Sequence, residues 1–193
     1  MLTKNEKVVL RYLLVNLNKD ASINKISKEC KLSPNGAYKI LKKFEKEEIL
    51  IQKKIANLIS FKLNLKETKT KKILELVFMD KLEGKIKYRY NDLKPLEKIT
   101  SLCIIFGSYI TKKDKPNDID ILFVIKKNNY TQYNLILDKV RIITPYKIHD
   151  VIQTKEDLIK NIKEESNLIY KILSEGIVLW GEDFLIEVIE RCQ

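Results

Sequence analysis

Apolar positions recur along this chain with two periods, and the switches between them mark its elements. Over residues 5–17, Val8, Val9, Tyr12, Leu13, Val15 and Leu17 keep helical spacing. Asp20-Ala-Ser breaks the pattern, and Ser22 is an N-cap for a short helix carrying Ile23, Ile26, Cys30 and Leu32. Ser33 is the next N-cap, and Pro34 suits a first helical position, where its missing N–H would be unpaired anyway. The predicted helix, 34–47, carries Ala37, Ile40, Leu41 and Phe44 on one stripe and Asn35, Tyr38, Lys39, Lys42 and Lys43 on its other face. After Glu48 the period falls to two. Ile49 and Ile51, then Ile59, Phe61 and Leu63, predict two strands, with Lys53-Lys54-Ile55-Ala56-Asn57 as a lysine-rich tip between them.

Further on, Ile73, Leu74, Val77, Phe78 and Leu82 predict one or two amphipathic helices ending near Gly84, followed by a basic segment around Lys85–Arg89 with Tyr88 and Tyr90. Ile99–Phe106 is an apolar run bounded by Gly107-Ser108 and reads as a buried strand. After nine intervening residues Asp118-Ile119-Asp120 leads into a second apolar strand, Ile121–Ile125. The rest predicts a helix near 135–143, a strand over Lys147–Gln153 and a helix from the Thr154 cap to about Ser174, stopped by Gly176. A short strand, Ile177–Trp180, and a last helix, Glu182–Arg191, close the chain.

Composition narrows the classes. The 193 residues hold 37 Lys and Arg against 26 Asp and Glu, a net charge of +11, with 45% hydrophobic residues. That is enough apolar material for a core, which excludes a disordered polybasic tail. No apolar run reaches the roughly 18 residues a membrane helix needs, so no membrane partner is expected. The first twenty residues, broken by Lys, Arg and Asn, do not resemble a signal peptide. Cys30, Cys103 and Cys192 are odd in number and far apart, which fits neither a disulfide framework nor a zinc spacing, and a cytoplasmic location is expected.

The charge is uneven. Residues 1–66 hold 15 basic and 6 acidic residues, 67–97 hold 8 and 6, and 98–193 hold 14 of each. A basic segment joined to a neutral one points to a polyanion partner for the first and a different task for the second. Three short helices followed by a hairpin resemble a winged helix-turn-helix domain of the bacterial and archaeal regulator type, over roughly residues 3–65. The resemblance implies DNA as partner, with 34–47 as the recognition helix in the major groove. Asn35 and Tyr38 would then face bases, Lys39, Lys42 and Lys43 phosphates, and Lys53 and Lys54 of the wing the backbone or minor groove.

The chemistry lies further along. In a strand, residues i and i+2 share a face, so Asp118 and Asp120 present two carboxylates side by side while Ile119 points the other way. Like charges so placed call for a cation between them. Hard oxygen ligands favour magnesium or manganese. Gly107 lets backbone approach a phosphate, and Ser108 offers a hydroxyl and an N–H. A phosphate cradle beside paired carboxylates is what phosphoryl or nucleotidyl transfer needs. Lys112 and Lys113 in the intervening spacer are further candidates for neutralising a triphosphate.

Gly107-Ser108, the spacer and Asp118-x-Asp120 between apolar strands resemble the DNA polymerase beta-like nucleotidyltransferases, over about residues 95–181, with Asn117 where many relatives have Ser or Thr. The resemblance implies a metal-dependent enzyme moving a nucleoside monophosphate from a nucleoside triphosphate to an acceptor. Asp118 and Asp120 would hold metal, and Gly107 and Ser108 phosphate. It also implies a third carboxylate from a later strand, for which Asp150 is the candidate. The strand phase leaves open whether Asp150 or His149 points into the site.

The expected fold class is therefore α/β (α+β), an N-terminal winged helix-turn-helix plus a nucleotidyltransferase-like mixed sheet flanked by helices. The expected domains are 1–66, a helical connector 67–94 that serves as spacer or homodimer contact, and 95–193. Two alternatives stand beside the enzyme: a DNA-binding regulator whose second domain senses nucleotide or is inactive, and an antitoxin-like partner protein.

Overall fold

A computed structural model describes residues 2–17, 19–55, 58–79, 81–111 and 116–192. The chain divides into two compact units, one up to Val77 and one from Phe78 to Cys192. The division falls inside the segment read above as a connector.

The first unit has winged helix-turn-helix order. Helix α1 (Lys4–Val15) opens with a capping box, in which Glu6 N–H donates to Thr3 Oγ1 and Thr3 N–H donates to the Glu6 carboxylate. Ser22 caps α2 (Ile23–Glu29), and Ser33 caps α3 (Pro34–Lys46) by accepting the Gly36 N–H at 3.1 Å. Val9, Leu10, Leu13, Ile26, Ala37, Leu41 and Phe44 from the three helices bury their side chains and close the core. Strands β1 (Leu50–Ile55) and β2 (Leu58–Leu63) pair antiparallel and add Phe61 and Leu63 to it. An isolated bridge from Ser22 to Ser60 ties the start of α2 to the hairpin. Lys53 and Lys54 lie within β1, so the pairing runs through the stretch read as a tip; of that stretch, Ala56 and Asn57 lie outside the described residues. Helix α4 (Thr68–Phe78) follows.

The second unit begins with α5 (Gly84–Leu93). Gly84, expected to stop a helix, starts this one, because Ile86, Arg89 and Leu93 recur on one side and are all buried. The basic stretch Lys85–Arg89 is thereby helical. Strand β3 (Thr100–Phe106), the single turn α6 (Ser108–Thr111), β4 (Asp118–Ile125), α7 (Tyr130–Ile143) and β5 (Lys147–Gln153) come next. Then follow α8 (Lys155–Lys163), α9 (Asn167–Glu175), β6 (Ile177–Trp180) and α10 (Glu182–Glu190). The single helix expected between Thr154 and Ser174 is therefore two. Glu165 takes a left-handed φ of 52° and Ser166 N–H reaches back to Asn161 O at 2.9 Å, which ends α8 as a C-terminal cap does.

The sheet order is β5-β4-β3-β6, with β4 and β5 parallel and the other neighbours antiparallel, a mixed sheet. One face, with Cys103, Ile105, Ile119, Ile121, Phe123 and Ile148, is covered by α5 and α7 through Leu93, Tyr133, Leu137 and Val140. Helices α8, α9 and α10 pack on the other face, where Leu158, Ile169, Ile172 and Leu185 are buried. Trp180 Nε1–H donates to Thr100 Oγ1 at 3.0 Å, and that hydroxyl donates to Leu96 O at 2.9 Å, so the buried indole and hydroxyl are both satisfied.

Candidate functional site

The site is built at the start of β4. Ile119 and Ile121 are buried on the α5/α7 face, and the two-residue period turns Asp118 and Asp120 to the opposite face. Asp120 stands opposite Phe106 in the β3–β4 register, and Gly107 follows Phe106 directly. The chain must bend sharply there. Gly107 has φ +74°, a conformation side chains resist. It also has no room for one, since a Cβ would overlap Oδ2 of Asp120 and lie 3.2 Å from its Cγ. A side chain at 107 would be strained and would push the Asp120 carboxylate aside, so the Gly-Ser turn and the second aspartate pack as one unit. The turn is anchored from the far side by Tyr109, which is fully buried. Its hydroxyl meets Lys85 O at 3.4 Å and its ring lies edge-on to Tyr146.

The parallel pairing of β4 with β5 sets Asp118 beside Lys147 and Asp120 beside His149. His149 Nδ1 lies 3.5 Å from Asp118 Oδ2 and 3.7 Å from Asp120 Oδ1. The three side chains are 34%, 30% and 44% exposed for Asp118, Asp120 and His149, so a ligand from solvent can reach them all. Burial pushes the Asp120 carboxyl above its ordinary value, and the Asp118 charge adds to this; His149 and Lys171 offset part of it. Lys171 is an exposed residue of α9 that the sequence reading missed. Nothing in sequence marks it among the chain's lysines, because its placement depends on the break between α8 and α9.

The choice between Asp150 and His149 is settled by strand phase. Asp150 shares its face with Ile148, away from Asp118 and Asp120, so the structure brings His149 and not Asp150 to the pair. Its carboxylate accepts the Tyr133 hydroxyl at 3.0 Å and Arg141 Nη2–H at 2.7 Å, which fastens α7 to β5. Burial, and then the Asp150 charge, push the Tyr133 phenol up. Ser108 follows Gly107 at the rim of the site, while Lys112 and Lys113 lie outside the described residues.

A divalent cation fits the donor set. Two carboxylates on one face repel each other and raise the Asp120 carboxyl, and a cation relieves both effects. Among the described residues no group of three or more His, Cys, Asp or Glu side chains forms a ready cluster for a metal. Magnesium, however, is commonly held by one or two carboxylates plus substrate phosphates. A separate cavity of about 510 Å³, lined by Ile125, Tyr130, Ile152 and Gln153, lies at the other end of β4 and β5 and does not include these aspartates.

On α3 the predicted DNA-facing residues divide into two groups. Asn35, Tyr38 and Lys39 are exposed, as are Lys53 and Lys54 on β1. Lys43, also exposed, reaches Glu6 of α1 at 2.7 Å, and the half-buried Lys42 donates to Glu45 at 2.7 Å and Gln52 at 2.9 Å. Burial opposes ionisation of Glu6, but hydrogen bonds from Lys43 and Thr3 bring its carboxyl below the usual value. Lys43 thus holds α3 against α1, and Lys42 holds it against the hairpin.

Residues 90–184 match the family model described as polymerase beta, nucleotidyltransferase, a span that runs from α5 into α10 and contains the whole sheet of the second unit. No curated protein matches the chain. Among solved structures, a MarR family protein from Bacillus stearothermophilus is similar at 15% identity, covering 73% of this chain and 74% of that one, with a TM-score of 0.35. No membrane-spanning helix occurs among the described residues.

The placement of Asp150 makes a prediction. Asp150→Asn removes the charged acceptor shared by Tyr133 and Arg141 and should cost about 2 kcal/mol in urea unfolding. It should leave manganese binding to the full chain unchanged. Loss of metal binding without loss of stability would return Asp150 to the site.

Proposed function

We propose that the second unit is a metal-dependent nucleotidyltransferase that moves a nucleoside monophosphate from a nucleoside triphosphate to an acceptor, and that the first unit binds DNA. The observation that supports the enzymatic reading is the packing of Gly107 onto Asp120 beside Asp118, within a span similar to the polymerase beta nucleotidyltransferase family.

In this reading Asp118 and Asp120 present the oxygens that hold magnesium or manganese. The cation, when bound, would neutralise the triphosphate and ease departure of pyrophosphate. Gly107 and Ser108, next to Asp120 across β3 and β4, are the phosphate contacts in this reading. Lys171 and Lys147 add positive charge from α9 and β5. The acceptor hydroxyl forms the new P–O bond at the α-phosphorus as the bond to pyrophosphate breaks, and its proton passes to solvent water. Asp150, on the other face with Tyr133 and Arg141, is given no part in that transfer.

The test is incubation with labelled ATP, GTP, CTP and UTP plus magnesium or manganese. Transfer from at least one, reduced to background by Asp118→Ala and by Asp120→Ala, is expected. Transfer that survives both substitutions would remove the proposed site. One observation favours a second reading, a regulator that senses nucleotide: the β5 position beside Asp120 holds His149 and not a carboxylate. Metal-dependent nucleotide binding with no transfer to any acceptor would select it.

For DNA, the exposed Asn35, Tyr38 and Lys39 are the proposed major-groove contacts, with Lys53 and Lys54 against the backbone. Lys39→Ala should weaken binding and flatten the plot of log affinity against log salt by about one unit, the loss of one phosphate contact. Lys43→Ala should lower stability through its lost bond to Glu6. Binding insensitive to salt would contradict a phosphate-driven interface.

A further inference from the structure

We infer that His149 is a third protein ligand of the proposed metal site, giving it two oxygens and one nitrogen and a preference for manganese over magnesium. The inference rests on the reading of Asp118 and Asp120 as metal ligands and goes beyond it in naming the cation.

Three observations carry it. Parallel pairing of β4 and β5 places His149 directly beside Asp120, and the shared strand phase puts its ring on the same face as both carboxylates. Its Nδ1 is 3.5 Å from an oxygen of Asp118 and 3.7 Å from an oxygen of Asp120, facing the gap between them rather than one carboxylate alone. The ring is 44% exposed, so it can turn without disturbing the core.

The described side chains are not closed into a cluster. In the present arrangement Nδ1 faces both carboxylates. A divalent ion entering there would displace the hydrogen that Nδ1 shares with them and bind the nitrogen lone pair in its place.

The donor set then decides the metal. Magnesium is hard and takes oxygen in near-ideal octahedral geometry. A nitrogen donor favours first-row transition ions over magnesium, and manganese is among those that carboxylate oxygens also suit. Lys171, which bears on Asp120 from α9, can contribute charge but no lone pair while protonated.

The experiment reads the metal and not turnover. Manganese is titrated into the full chain by electron paramagnetic resonance, alone and with inorganic pyrophosphate, which contains no nitrogen. Pulsed spectra are then examined for coupling to ¹⁴N. The wild-type protein should bind manganese with a histidine-type nitrogen coupling. His149→Asp should remain folded by circular dichroism, lose that coupling and lower the manganese-to-magnesium affinity ratio about tenfold. His149→Ala should lose the coupling as well.

Manganese binding that lacks the nitrogen coupling, is abolished by Asp118→Ala and is unaltered by His149→Asp would overturn the inference and leave the two-carboxylate site standing. No manganese binding in the wild type, with or without pyrophosphate, would overturn both.

Discussion

Two carboxylates on one face of one strand are the constraint around which the second unit is arranged. They repel, and burial of Asp120 sharpens the cost, so they persist only where the fold holds them and something positive answers them. The fold holds them through β3. Antiparallel pairing brings Phe106 opposite Asp120, and the next residue, Gly107, bends against the carboxylate with no side chain to push it away. The buried Tyr109 anchors the same turn. Lys171 on α9 brings positive charge to Asp120, and His149 on β5 sets its ring nitrogen beside both carboxylates.

The same economy of charge shapes the first unit. Its basic excess looks like one polyanion-binding surface when read as a sum. In the structure it is divided, because Lys42 and Lys43, though still reachable from solvent, are paired with Glu45, Gln52 and Glu6. A charged side chain on a helix can pack as well as bind, and only its partners show which it does. Of the α3 residues expected to face DNA, Asn35, Tyr38 and Lys39 are exposed and carry none of these pairings.

Much of this was legible in the chain, for reasons that can be named. Strands β5 and β6 keep their predicted bounds because turn residues flank them, Pro145 before one and Gly176 and Gly181 around the other. Caps Ser22, Ser33 and Thr154 announce their helices because side-chain oxygens at those positions have a defined job. The break between α8 and α9 was hidden because it is made by Glu165 in a left-handed conformation. Lys31 and Glu48 end α2 and α3 in the same way. A chain with only 5 glycines leaves such stops to residues that do not advertise them. The aspartate pair was legible because i and i+2 always share a strand face. The choice between His149 and Asp150 was not, because it depends on the register of β5 against β4, a long-range fact no local pattern contains.

The central claim is that the turn at Gly107, the start of β4 and the middle of β5 form one cation-binding place. Site-resolved paramagnetic broadening tests it most directly: manganese is added in small amounts to the isotope-labelled full chain, and the amide signals are followed by NMR. The account predicts early and selective loss of the signals of Gly107, Ser108, Asp118, Ile119, Asp120 and His149. Broadening centred on Lys127, Tyr130 and Gln153 at the other end of β4 and β5, or no selective broadening at all, would contradict it.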